Sequence, residues 1–118
     1  MVLSYEKVAE AIEAEGRRIG RLAEECADVI TTAAELEADF KVSFAQARMA
    51  FRDAAARDGA KATVDIVEDY ATVETIDARR AFLIGQGSVT AIREALRSSQ
   101  SRLDGLRTLA AGYRQAGG

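Results

Sequence analysis

The chain has 118 residues, of which 48% are apolar and 30% charged, with a net charge of −3. The length suits a single domain, residues 1–118, and the composition is that of a folded protein. Histidine is absent and Cys26 is the single cysteine, which excludes a Cys/His zinc site, an intramolecular disulfide and the most common general base. We therefore predict a non-enzymatic protein with no cofactor, no metal site and no small-molecule substrate.

The first residues and the hydropathy of the chain bear on its location. Met1–Ser4 lacks the basic segment and apolar run of a signal peptide, and no stretch of about 18 apolar residues follows. A lone cysteine also fits a reducing compartment. We expect a cytoplasmic protein without a membrane span.

A long amphipathic helix is predicted over residues 5–57. Ser4 is a suitable N-cap, Gly59 is a natural helix stop, and no proline interrupts the segment between them. The apolar residues inside it follow steps of three and four, which is typical of a coiled-coil seam. The stripe comprises Ile12, Ile19, Leu22, Cys26, Val29, Ala33, Leu36, Phe40, Phe44, Ala47 and Phe51. We assign Phe40, Phe44 and Phe51 to the core or to an oligomer interface.

Gly16 and Gly20 lie inside this helix, where each costs about 1 kcal/mol relative to alanine. They are either tolerated weak positions or, as a Gly-x-x-x-Gly step, the site of a close helix crossing. Both interpretations are compatible with the sequence.

The segment of about 63–71 predicts a turn or a short helix. Thr63 is a suitable N-cap, and Asp65 and Glu68 would favour the helix dipole near its start. The segment either forms a helix of its own or runs straight into the next one.

The last helix, over about residues 73–114, has the clearest pattern in the chain. Five heptads alternate steps of three and four without a break. Their seam positions are Phe82, Gly85, Val89, Ile92, Leu96, Ser99, Leu103, Leu106, Ala110 and Tyr113. We expect the large apolar members, Phe82, Val89, Ile92, Leu96, Leu103 and Leu106, to form the core or an oligomer seam.

The charge distribution favours an all-α, antiparallel helical hairpin. Residues 1–78 carry a net charge of −8 and residues 79–118 a net charge of +5, so antiparallel pairing brings opposite charges together. This register would bring Arg107 near Arg21–Asp28, and Arg93 near Glu35 and Glu37. Two helices alone bury little surface, so we expect the hairpin to form a homo-oligomeric helical bundle.

Four arginines share one heptad position beside the seam, with Gln86 and Gln100 between them. They are Arg79, Arg93, Arg107 and Arg114. One interpretation is a strip that binds phosphate or an acidic partner, and the other is salt bridging to the first helix. Tyr5, Tyr70 and Tyr113 either stack on bases or lie at the helix edges.

Three features resemble small α-helical proteins that phages and prophages encode near recombination or replication genes. They are Phe40, Phe44, Arg48 and Met49 on the first helix, the acidic segment 63–68 led by Thr63, and Leu103, Leu106, Arg107 and Leu109 on the last. The resemblance covers roughly residues 35–114. It implies an accessory role in phage DNA metabolism, and it carries over no active residues.

Our leading hypothesis is an oligomer that acts by binding, and that assists phage-type recombination or replication through single-stranded DNA or a protein partner. The alternative is a protein-directed module, such as a host-factor inhibitor, an assembly chaperone or a scaffold. In that case the exposed remainder of the Phe and Leu stripes would bind a partner helix, and no nucleic acid would be bound.

Overall fold

The computed structural model describes residues 4–117, which form three helices and no strand. Helix α1 is Tyr5–Arg57, α2 is Val64–Glu74 and α3 is Ile76–Gly117. The all-α class and the helical hairpin are thus confirmed. The segment after the turn is a helix of its own, which ends three residues later than predicted.

The caps predicted at Ser4, Gly59 and Thr63 are present, whereas α3 begins and ends about three residues later than predicted. The hydroxyl of Ser4 accepts a hydrogen bond from the amide of Lys7 at 3.2 Å, and that of Thr63 accepts one from Ile66 at 3.4 Å. Gly59 has a φ of 68°, a left-handed conformation that favours glycine and stops α1. Local capping therefore explains where α1 ends and α2 begins.

Thr75 alone separates α2 from α3. Its amide donates to the carbonyl of Ala71 at 3.1 Å, and its own carbonyl accepts from Arg79 at 2.9 Å. Its buried hydroxyl also donates to Ala71, at 2.6 Å. Helical hydrogen bonding therefore continues on both sides of Thr75, and the return arm of the hairpin begins at Val64.

The residues group into two compact units. Unit 1 comprises α1 up to Val29 with α3 from Val89 onward, and unit 2 is Ile30–Ser88. In unit 1 the rings of Tyr5 and Tyr113 meet edge to face at 6.5 Å. In the same unit Arg102 Nη1 lies 3.1 Å from Glu15 Oε1. Helices α1 and α3 are therefore antiparallel within unit 1, and a single domain stays a prediction.

Unit 2 is antiparallel as well. The ring of Phe40 stacks on that of Phe82 at 5.5 Å with 14° between the planes, and Phe51 lies 5.0 Å from Tyr70 of α2. The helices approach each other closely at Gly85, where an added Cβ would lie 3.1 Å from Leu36 Cδ1. Helices α2 and α3 thus both pack on α1 within this unit.

Complete burial is confined to small and medium side chains. The buried apolar residues are Val8, Ala55, Val67, Ala71, Ile92, Leu103 and Ala110, and the buried polar ones are Glu15, Thr75 and Ser99. The phenylalanines at the seam are only half-buried. A pair of helices covers one side of each large side chain and leaves the other side to solvent.

Gly16 and Gly20 do not mark a close crossing, because no neighbouring atom lies within 4 Å of a Cβ built at either position. The interpretation as tolerated weak positions is the correct one. The close approach at Gly85 lies on the seam of α3 instead.

The charge-based register was wrong by more than two helical turns. Since Arg102 contacts Glu15, Arg107 lies level with about residue 10 and Arg93 with about residue 24 at equal rise along both helices. The sequence had left open whether residues 63–71 form a turn or a short helix, and the predicted register did not allow for a helix there. Because α2 already runs back along α1, every residue of α3 pairs closer to the start of α1.

Glu15 is a carboxylate at a seam position. Its side chain is 9% exposed and its Oε2 has no hydrogen-bond partner among the described residues, while the side chain of its partner Arg102 is 64% exposed. A half-satisfied buried carboxylate costs stability that an apolar side chain would recover.

We expect Glu15→Leu to raise the free energy of unfolding by about 1 to 2 kcal/mol, seen as a higher melting temperature by circular dichroism. Glu13→Leu, which removes the same charge at an exposed position, should change the melting temperature little. A lower melting temperature for Glu15→Leu alone would show that the ion pair stabilises the seam.

Candidate functional site

Three of the four predicted arginines lie on one side of α3 in unit 1. Each follows a seam residue, and together with Gln100 they form what we call the arginine edge: Arg93, Gln100, Arg107 and Arg114. All four side chains are exposed. Within residues 4–117, no carboxylate pairs with any of the three arginines. Intramolecular salt bridging, the simpler interpretation of this column, is therefore not what the structure shows for them.

The heptad register explains why these arginines lack partners. In an antiparallel pair, the residues that follow the second seam position of each heptad flank the same edge of both helices. On α1 these residues are Ala9, Gly16 and Ala23, all exposed and all uncharged. The acids of α1 in unit 1 occupy other heptad positions, namely Glu6, Glu10, Glu13, Glu15, Glu24, Glu25 and Asp28. The arginine edge is therefore a basic margin bordered by small neutral residues.

Arg102 provides the contrast within the same unit. It precedes the seam residue Leu103 and so lies on the other edge of α3, where it reaches Glu15. The two edges of α3 thus differ in ion pairing within residues 4–117, since Arg102 has a carboxylate partner and the arginines of the arginine edge have none. The edge with free guanidinium groups is the one available to a ligand.

An aromatic pair lies at the end of the arginine edge. Tyr5 is 48% exposed and meets Tyr113 edge to face. A shallow pocket beside them is lined by Tyr5, Tyr113, Arg114 and Gly117. Arginine next to an accessible aromatic face is the combination that single-stranded nucleic acids bind, through a phosphate and a stacked base.

Arg79 and Tyr70 belong to unit 2 and are therefore not part of the arginine edge. Arg79 is exposed and lines a concavity with Ile76, Arg80, Leu83 and Ile84. Tyr70 packs against Phe51, and the nearby charge of Glu74 raises the pKa of its phenol above the ordinary value. Tyr70 therefore stays neutral at physiological pH and acts as a packing residue.

The predicted seam residues lie between the helices to different depths. Ile92 and Leu103 are buried. Half-buried are Phe40, Phe44, Phe51, Phe82, Val89, Leu96 and Leu106, and Cys26 is half-buried too. No group of acidic or cysteine side chains in residues 4–117 has an arrangement that could hold a metal ion.

Three features were missed by the sequence analysis. The first is Glu15, whose signal was its position midway between Ile12 and Ile19 on the stripe. The second is Arg48, which lies 4.5 Å over the ring of Phe44 and 3.5 Å from Glu68 Oε1, an ion pair outside hydrogen-bond geometry. The third is the apolar lining around Arg79, which lies off the heptad seam.

Over residues 4–117, no helix has an apolar stretch of the length needed to cross a bilayer.

Comparisons with known proteins add no further constraint on this site. A scan against family models and searches of curated proteins and solved structures find no match to the chain.

Proposed function

We propose that the protein is a non-enzymatic, homo-oligomeric helical protein of the cytoplasm that binds single-stranded DNA along its arginine edge. The observation that carries this proposal is the alignment of three exposed arginines at one heptad position beside an aromatic pair, none of which forms an ion pair within residues 4–117. An unpaired guanidinium retains its full affinity for phosphate, since no carboxylate competes for it.

The spacing along the edge suits a flexible strand better than a rigid duplex. At 1.5 Å per residue, Arg107 and Arg114 are about 10 Å apart, and Arg93 lies about 21 Å from Arg107. A single strand can bend to meet such uneven intervals, and the aromatic pair by Arg114 offers a surface for one base. The resemblance to phage-encoded proteins supports an accessory role in recombination or replication.

The test is the salt dependence of binding to a labelled single strand of about 30 nucleotides, measured by fluorescence anisotropy. Three phosphate contacts predict a slope of about −2 in a plot of log K against log salt, so affinity should fall about 20-fold between about 50 and about 200 mM salt. No binding at the lower salt concentration would remove nucleic acid from the proposal.

A matched pair of variants locates the binding. The first replaces Arg93, Arg107 and Arg114 by glutamine, and the second makes the same change at Arg17, Arg18 and Arg21. The second set lies on α1 of the same unit, is equally exposed and alters the net charge identically. We expect the first variant to lose at least about tenfold in affinity and most of the salt slope, while the second retains its slope. Equal losses in both would contradict a localised edge.

A protein-directed role is the second candidate. The observation that favours it is an exposed apolar surface on unit 2, which includes Ile76, Leu83 and Ile84. The phenylalanines, proposed from the sequence as the docking stripe, are half-buried against α3 and α2. A chain that binds no DNA at low salt would support this candidate.

A further inference from the structure

Unit 2 has an apolar surface on the side of α2 and α3 that faces away from the seam. We call it the outer patch and define it as Val73, Ile76, Leu83 and Ile84. These side chains are between 51% and 72% exposed. None of them occupies a seam position, so packing on α1 does not account for their apolar character.

The outer patch is large enough to be an interface. The exposed fractions leave on the order of 400 Å² of apolar surface, which is in the range of the largest apolar patch of a monomeric protein, and such patches are often interaction sites. Two patches in contact would bury on the order of 800 Å², and their polar rims would bring the total near the lower limit of specific interfaces. An association in the micromolar range is the strength that such an area supports.

Two charges within the patch are arranged for self-association. Positions 77, 80 and 84 are spaced three and four, so Asp77, Arg80 and Ile84 form one line along α3. Val73 lies four residues before Asp77, in the last turn of α2 on the other side of Thr75, so an apolar residue stands before and after the acid and the base. A line of this kind is complementary to itself when two copies run antiparallel.

We propose that the outer patch is the surface on which a second copy of this chain binds, in an antiparallel dimer with a two-fold axis between Asp77 and Arg80. The two-fold axis pairs Asp77 of each copy with Arg80 of the other copy. It likewise pairs Val73 of each copy with Ile84 of the other. Ile76 and Leu83 of both copies then lie together along the same edge of the interface. This inference rests on the oligomeric part of the proposed function and identifies the surface through which the copies associate.

A second copy fits better than an unrelated helix, because the order of charges is determined by the two-fold symmetry. With the axis moved one or one and a half positions towards the C-terminus, Arg80 would face Arg79 or itself, and like charges at an interface oppose association. The position between Asp77 and Arg80 pairs both charges and all four apolar residues in one arrangement.

The first experiment is sedimentation velocity of the full chain from about 2 to about 200 µM. We expect the 12.7 kDa chain to shift towards a species of about 25 kDa, with a dissociation constant in the micromolar range. Leu83→Asp should sediment as a monomer throughout, with unchanged helical ellipticity. The control is Val42→Asp, at an exposed apolar position on α1 of the same unit, and it should associate like the wild type.

The second experiment tests the symmetry by exchanging charges. Asp77→Arg alone places arginine opposite Arg80 of the second copy, and Arg80→Asp alone places aspartate opposite Asp77. Each variant should bind itself at least about tenfold more weakly than the wild type. An equimolar mixture should restore association, since both contacts of the mixed dimer then join opposite charges.

Three outcomes would overturn the proposal. They are a wild-type chain that stays folded and monomeric at all concentrations, a Leu83→Asp chain that associates like the wild type, and a mixture of charge variants that does not associate. A monomeric wild type would leave the outer patch to a different protein. Failure here is distinguishable from failure of DNA binding, because the arginine edge variants lie in unit 1 and leave the outer patch unchanged.

Discussion

Val67→Asp is expected to lower the free energy of unfolding by about 3 to 5 kcal/mol, because it buries an unpaired carboxylate. Val67 is 0% exposed and shares the inner face of α2 with Ala71 and Thr75, which are also buried. Arg48 of α1 reaches α2 beside this face, but it is already paired with Glu68, whose Oε1 lies 3.5 Å from its Nε. The change should weaken the packing of α2 on α1 and lower the melting temperature measured by circular dichroism.

Val64→Asp is the matched control, since it makes the same substitution three residues earlier. Val64 is 69% exposed and is the first residue of α2 after the Thr63 cap. An acid at that position interacts favourably with the helix dipole, so we expect no loss of stability. If the two variants melted at the same temperature, the burial of α2 against α1 would be refuted.

Gly85→Leu is expected to lower the free energy of unfolding by about 2 to 3 kcal/mol. A Cβ at this position would lie 3.1 Å from Leu36 Cδ1 and 3.4 Å from Ala33 Cα. Leu36 Cδ1 is the end of a flexible side chain, whereas Ala33 Cα is backbone and cannot yield. The larger side chain must therefore push α3 away from α1 in unit 2.

Gly105→Leu supplies the control for the gain in helix propensity. No atom lies within 4 Å of a Cβ at Gly105, so leucine there should stabilise α3 by up to about 1 kcal/mol. Thermal melts of both variants at one protein concentration make the comparison. An equal gain in both would mean that α1 and α3 are not in close contact at Gly85.

The outer patch was not predicted, although its residues are visible in the sequence. The heptad pattern of α3 is complete without Ile76, Leu83 and Ile84. Because apolar residues are common on protein surfaces, these three gave no separate signal of an interface. Their significance depends on which side of α3 packs on α1, and therefore on the heptad assignment and the observed burial together. The sequence analysis had instead assigned the exposed apolar surface to the phenylalanines.

The sequence predicted that the arginines of the arginine edge lie in one column, but it did not predict whether they form ion pairs. The sequence places Arg93, Arg107 and Arg114 at one heptad position, yet it left salt bridging to α1 open. The outcome depends on the residues opposite, which are Ala23 for Arg93 and Ala9 for Arg107 in the observed register. Overall charge complementarity between the halves of the chain suggested acids there, because net charge ignores the side of the helix on which each acid lies.

The sequence by itself determined α1 and the start of α2, because Ser4, Gly59 and Thr63 act through hydrogen bonds and backbone conformation within a few residues. It also determined the seam of α3, since a spacing of three and four follows from helix geometry alone. The tertiary structure alone decided the register, the burial of Glu15 and the freedom of the arginines. Each of these depends on which residues of α1 lie opposite α3, and that pairing is set by the length of the turn and of α2 rather than by any local pattern.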